Sequence, residues 1–218
     1  KVHVWLKPGA LRDAWASLAP LDPAAARPAA LVRLLLAPRH PERFNEVASL
    51  IQSSSLSWAR RTNPRDPSDA NATVILLDTI GELPATYSLA TVVFVGGSIV
   101  DKGGHNVLEP AAAGSAVVTG AHTHNFHAIV DLMQEAGAIV QLPPAEGVNA
   151  AEELTRAFAK ILGNPSERAE LGRRAKQLVT NNQGAAAKTM KLIAPLLSAT
   201  QRERSRSDSI LAANAHTS

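Results

Sequence analysis

Cysteine is absent from the 218 residues, which excludes disulfides and thiolate metal sites and fits a reducing compartment. Aromatic residues make up 4% of the chain, too few to form the stacking platforms that bind nucleic acid. No apolar run reaches the roughly 18 residues that a membrane-spanning helix needs. The opening Lys1-Val2-His3-Val4-Trp5-Leu6 has too short an apolar stretch for a signal peptide, and no initiator Met. It starts almost inside a strand, so the chain reads as part of something longer.

Hydrophobic residues make up 45% of the chain, enough for a core in one large domain or one and a half. The net charge is only +3, yet the pI is near 9.5. Basic residues gather late, at Arg168, Arg173, Arg174, Lys176, Lys188, Lys191, Arg202, Arg204 and Arg206. The simpler reading is solvated faces of two terminal helices. The other is peripheral contact with anionic lipid head groups.

The richest stretch begins at the apolar run Thr91-Val92-Val93-Phe94-Val95, which ends in Gly96-Gly97-Ser98. A second pair, Gly103-Gly104, leads through His105 into Asn106-Val107-Leu108-Glu109-Pro110. Proline is tolerated in the first turn because the N–H groups there have no helical partner, so this spacing predicts a helix from about Asn106 or Val107 to 113. Glycines permit close backbone approach, and a helix start offers unpaired N–H groups to a phosphate. A plainer reading coexists: Asn106 and Glu109 have the spacing of a capping box, and glycine pairs also make tight turns.

Strands are expected at 31–37, 57–60, 74–77, 91–95, 116–119 and 138–141. Helices are expected after Pro41, with Phe44, Val47, Leu50 and Ile51 on one face, and at 83–90, 106–113, 125–135, 150–162, 165–181 and 185–198. Residues 62–73 read as a loop, and an Arg- and Ser-rich tail over 199–218 is expected to be disordered. This alternation predicts a Rossmann-like α/β fold, a parallel sheet with helices on both faces. Ligands of such sheets bind outside the carboxyl ends of the strands. Arg39, Glu82, the Gly96-Gly97-Ser98 turn, and Gly120 with His122 all follow strands and so gather at that edge.

Individual residues keep two readings. Arg39 could pair with Glu42 or bind a ligand. Glu82 could be a plain loop carboxylate, and His105 a phosphate donor or a neighbour of the cap. His122, His124 and His127 lie close together, but no carboxylate stands at matching spacing, so no metal site is assigned. Trp5, Trp15 and Trp58 read as packing residues.

Five segments in order resemble the 3-deoxy-D-manno-octulosonic acid (Kdo) transferases of lipopolysaccharide synthesis. They are Ala37-Pro38-Arg39-His40-Pro41-Glu42-Arg43-Phe44, Asp78-Thr79-Ile80-Gly81-Glu82-Leu83, Phe94-Val95-Gly96-Gly97-Ser98, Gly103-Gly104-His105-Asn106-Val107-Leu108-Glu109-Pro110 and Thr123-His124-Asn125-Phe126. The resemblance covers roughly 30–180 and implies the C-terminal, donor-binding half of a GT-B glycosyltransferase. It implies binding of CMP-Kdo through Pro38 and Arg39, through Gly81, Glu82 and Leu83, and through Asn106, Val107, Leu108 and Glu109. Gly96, Gly97, Ser98, Gly104 and His105 join them as further contacts. It implies no metal and no cofactor.

The acceptor would be a lipid A precursor, met through an N-terminal domain that carries a glutamate base. The complete enzyme would work at the cytoplasmic face of the bacterial inner membrane, and this chain alone would be soluble and inactive in transfer. Residues 1–30 read as a divergent or truncated start of the donor domain, and 31–198 as the nucleotide-sugar domain. The alternatives are another GT-B enzyme using a UDP-sugar, as transferase or epimerase, and a non-catalytic nucleotide-binding module.

Overall fold

The computed structural model describes residues 2–3, 33–54, 56–63, 72–145, 147–184 and 193–194. Trp5, Trp15, nearly all of 1–30, most of the 62–73 loop and the tail over 199–218 lie outside the described residues. Of the expected helix at 185–198, only Ile193 and Ala194 are described, and both are helical. Two compact units are present, Lys1–Val179 and Thr180–Ser218. The first holds the sheet, its covering helices and every expected site residue.

Seven parallel strands form one sheet. They are β1 (Val2–His3), β2 (Leu34–Leu36), β3 (Trp58–Arg60), β4 (Val74–Leu76), β5 (Val92–Val95), β6 (Ala116–Thr119) and β7 (Val140–Gln141), in the order β3-β4-β2-β1-β5-β6-β7. The register sets Val2 beside both Leu34 and Val92, so β1 lies between β2 and β5. The helices are α1 (Phe44–Ser53), α2 (Leu83–Tyr87), α3 (Leu108–Ala112), α4 (His127–Glu135), α5 (Gly147–Gly163) and α6 (Pro165–Asn181). A 3-10 turn at Pro41–Arg43 leads into α1, with Pro41 at its start because the ring suits the first turn.

Strands β2, β4 and β5 are wholly apolar, and β6 is apolar up to Thr119, because both faces are covered and successive side chains point to opposite faces. Val92, Phe94, Ala116 and Val118 join one core with Ile51 of α1 and with Leu154, Phe158 and Ile161 of α5. Val93, Val95 and Val117 join the other, with Tyr87 of α2, Val107, Ala111 of α3, Val130 and Met133 of α4, and Ala175 and Leu178 of α6. Burying a large side chain such as Phe158 contributes about 1.5–3 kcal/mol.

Most expected elements lie where the sequence put them, with ends a few residues short. The helix expected from Asn106 or Val107 is helical from Leu108, because Asn106 turns back to accept the Leu108 N–H at 3.0 Å. The face expected on α1 shifts slightly: Ile51 and Ala48 are buried, and Val47 packs at the margin.

Candidate functional site

Parallel strands deliver their carboxyl ends to one edge, and the order of the sheet reverses between β1 and β5. A cleft of about 430 Å³ opens at that edge, lined by residues that follow β2, β4 and β5. Pro38, Arg39, Gly81, Leu83, Gly96, His105, Asn106 and Glu109 all line it. Glu82, Gly97, Ser98, Gly104, Val107 and Leu108 are not among the lining residues.

Arg39 reaches across the cleft from the end of β2. Its Nη1 lies 2.9 Å from His105 Nδ1, while Glu42 pairs with His40 at 3.3 Å. The pairing of Arg39 with Glu42 is thus replaced by one that bridges the two halves of the sheet. Half-burial, then the charges of Arg39 and His40, lower the His105 pKa despite a backbone hydrogen bond with Gly104. The ring is therefore neutral at pH 7, and accepting the Arg39 proton at Nδ1 puts its own proton on Nε2.

The glycine loop is shaped by that ring. Gly97 has φ +71°, and a Cβ there would lie 3.1 Å from His105 Nε2. Gly104 donates its N–H to the Gly97 carbonyl at 2.9 Å, closing the loop on itself. Ser98 is fully buried and faces inward. Its hydroxyl donates to the Val95 carbonyl at 2.7 Å and accepts from the Gly120 N–H at 2.8 Å, fastening the end of β5 to the end of β6.

At the start of α3, the Asn106 amide donates to Glu109 Oε1 at 3.1 Å. The carboxylate thus meets the Asn106 side chain, where a capping box would join it to the backbone N–H. Tyr87, at the end of α2, lines the same cleft. Burial, then the Glu109 charge, pushes the tyrosine hydroxyl up to about 12. Val107 points away into the core at 1% exposure.

On the β4 side the carboxylates face elsewhere. Glu82 accepts from Arg61 Nη2 at 3.0 Å and from the Thr79 hydroxyl at 2.8 Å. Gly81, at φ +89° with open space around it, gives the turn its shape. Asp78 is buried, accepts the Thr62 N–H at 3.0 Å and pairs with Arg60 Nε. Burial works to raise its pKa, but hydrogen bonds from Thr62 and Arg60 outweigh burial and hold it below the usual range.

The histidine cluster divides. His122 and His124 lie 3.8 Å and 3.4 Å from Asp101, a carboxylate from the glycine loop that sequence spacing did not suggest, and His127 pairs with Asp131 at 3.2 Å. Among the described residues no group of three or more His, Asp or Glu is arranged to hold a metal ion. No described helix is long and apolar enough to cross a membrane.

Sequence reasoning missed Tyr87, Asp78, Arg60 and Arg61. Only one signal could have pointed to Tyr87: it is the single tyrosine of the chain. The others meet their partners across neighbouring strands, which spacing along the chain does not reveal.

No protein-family model matches the sequence. The C-terminal CMP-Kdo-binding domain of WaaA from Acinetobacter baumannii superposes with a TM-score of 0.63 at 29% identity, covering 82% of this chain and 87% of that one. The class is a Rossmann-like α/β domain with the fold of the C-terminal half of GT-B glycosyltransferases. The chain is 38% identical over 164 residues to the 3-deoxy-D-manno-octulosonic acid transferase of Haemophilus influenzae, 75% of this chain and 37% of that protein, and 36% identical over 157 residues to that of Bordetella pertussis, 72% and 35%. It is homologous to these Kdo transferases over most of its own length, and spans little more than a third of theirs.

Proposed function

We propose that this domain binds CMP-Kdo in the cleft at the carboxyl edge of its sheet and serves the transfer of Kdo to a lipid A precursor. The observation that carries the reading is the placement of the Arg39 guanidinium, hydrogen-bonded to a neutral His105, and an oriented carboxylate, Glu109, in one cleft. A guanidinium suits the CMP phosphate or the cytosine carbonyl. The Glu109 carboxylate suits two ribose hydroxyls. Gly81, Glu82 and Leu83 act as a turn whose backbone reads the base edge, with the Glu82 side chain fastening that turn to Arg61 and Thr79. The glycine loop and His105 lie where phosphate charge grows as CMP leaves, and donors fixed in advance there stabilise that charge.

In transfer, an acceptor hydroxyl loses its proton to a base, attacks the anomeric carbon of Kdo, and CMP departs. A general base must stand within hydrogen-bond reach of that hydroxyl. Glu109 is occupied by ribose in this reading. The base and the acceptor cleft therefore belong to an N-terminal domain, at the cytoplasmic face of the inner membrane. The resemblance supports that placement.

Calorimetric titration with CMP and UMP tests the donor assignment. CMP is expected to bind more tightly, because the two bases differ at the edge that the Gly81–Leu83 turn faces. Equal or tighter binding of UMP would overturn the assignment.

A further inference from the structure

Arg39 stands exposed at the end of β2, and among the described residues no carboxylate neutralises it. Glu42, the acid nearest to it along the chain, pairs with His40 at 3.3 Å, and Glu46 pairs with Arg43 at 2.7 Å. The guanidinium instead meets His105 Nδ1 at 2.9 Å, from the far side of the cleft. Arginine keeps its protons, so it donates and the ring nitrogen accepts.

The ring is seated as well as bonded. A Cβ at Gly97 would stand 3.1 Å from Nε2, 3.3 Å from Cε1 and 3.4 Å from Cδ2, so the imidazole fills the space that a side chain there would take. Gly97 also has φ +71°, which glycine adopts freely. The Gly104 N–H on the Gly97 carbonyl at 2.9 Å keeps the loop closed beside the ring.

A long, exposed side chain loses rotamer freedom when a ligand must order it. A carboxylate partner would supply the order in advance, but it would cancel the charge that a phosphate needs. A neutral imidazole takes one N–H of the guanidinium and leaves its charge and its other donors in place.

We propose that His105 is a positioning residue for phosphate recognition: through Nδ1 it holds the Arg39 guanidinium across the cleft as an oriented cation that no carboxylate cancels, ready for the nucleotide's phosphate. The proposal rests on the reading of the cleft as the CMP site. It adds a role that His105 plays through Arg39, and it makes Gly97 the seat of the ring.

Three substitutions separate the ring nitrogens. His105→Asn keeps an acceptor where Nδ1 stands, His105→Gln keeps a donor where Nε2 stands, and His105→Phe keeps a ring with neither. CMP and cytidine are titrated by calorimetry, at a mildly alkaline pH where the imidazole is neutral, into the wild type, these variants, Arg39→Ala and the Arg39→Ala/His105→Phe double variant. His105→Phe and His105→Gln are expected to weaken CMP roughly tenfold and to leave cytidine, which lacks the phosphate, unchanged. His105→Asn is expected to stay within about twofold of the wild type. In the Arg39→Ala background, His105→Phe is expected to cost nothing further. Nitrogen NMR of the histidine rings supplies a readout that needs no ligand. The signals of His105, identified by their loss in His105→Asn, are expected to show Nδ1 bare and Nε2 protonated.

The reverse pattern, with His105→Gln binding like the wild type and His105→Asn like His105→Phe, would show that the ring meets the phosphate itself, and would overturn the proposal. Equal losses on CMP and cytidine would reduce the ring to a shaper of the wall. Additive losses in the double variant, no loss from His105→Phe, or a proton on Nδ1 would each sink it as well. CMP affinity untouched by Arg39→Ala would remove the phosphate role of Arg39, and the proposal with it. Failure of the wild type to bind either ligand would instead sink the CMP reading itself, on which the proposal stands.

Discussion

On the β4 side of the cleft, charged side chains hold the loops in place: Asp78 with Arg60 and Thr62, and Glu82 with Arg61 and Thr79. On the β5 and β6 side, backbone groups and glycines do the same work. Gly104 meets the Gly97 carbonyl at 2.9 Å, the His122 N–H meets Ser98 at 2.8 Å, and the Asn125 N–H meets Gly103 at 3.1 Å. The first wall therefore responds to pH and salt. The second responds to volume, because at Gly103 and Gly120 its close contacts leave no space for a methyl group. In the proposed CMP-Kdo site, the contrast follows what each wall must do. A turn that offers its backbone to a base can be fastened from behind by ion pairs. A loop beside a phosphate needs close approach, which glycine alone permits.

The sharpest attempt to break this contrast is Gly120→Ala. A Cβ there would stand 2.3 Å from the Ser98 carbonyl oxygen and 2.7 Å from the Ile99 nitrogen, both backbone atoms. The variant is expected to lose about 3 kcal/mol of stability, read from chemical denaturation, with no dependence on salt. A loss under about 1 kcal/mol would mean that the second wall yields, and the contrast would collapse.

Asp78→Asn attacks the first wall, and is expected to cost about 2 kcal/mol at neutral pH, because Arg60 keeps partial access to water. The pKa of Asp78 is depressed in the folded state, so its stabilisation is complete above the unfolded value of about 3.9 and is lost as pH falls through the folded value. Denaturation at a series of acid pH values should show a flatter acid limb in the variant. An unchanged limb would assign the acid sensitivity to other groups.

The smallest expected effect is that of Glu82→Gln. Its side chain is 40% exposed and that of Arg61 56%, so the pair is worth less than about 1 kcal/mol and is screened further by added salt. CMP affinity should change little if the turn reads the base through its backbone. A large and selective loss of CMP binding would instead bring the Glu82 carboxylate into the cleft.

Much of this was legible in the sequence because period and punctuation carry it. The apolar runs at 92–95 and 116–119 announce strands buried on both faces, and their loops mark the edge where the cleft opens. Arg39 and the glycine loop follow from that rule alone. The partners were not legible. Asp101 beside His124, Asp78 beside Thr62 and Tyr87 beside Glu109 join residues from different loops, and nothing in local spacing records strand order. Ser98 shows the converse: a serine expected among the further contacts is buried away from the cleft lining, with its hydroxyl joined to the end of β6.

The position of β1 bears on how the molecule comes to exist. It is the first strand of this sheet and lies at its centre, so pairing spreads outward from it in both directions as later strands arrive. The Arg39–His105 contact joins residues 66 positions apart across that centre. Its formation must wait until β5 has docked, and contacts so distant along the chain form late because the intervening loop must first be closed. On the ribosome, the cleft would therefore appear abruptly once the glycine loop and α3 have emerged, with no partial version beforehand.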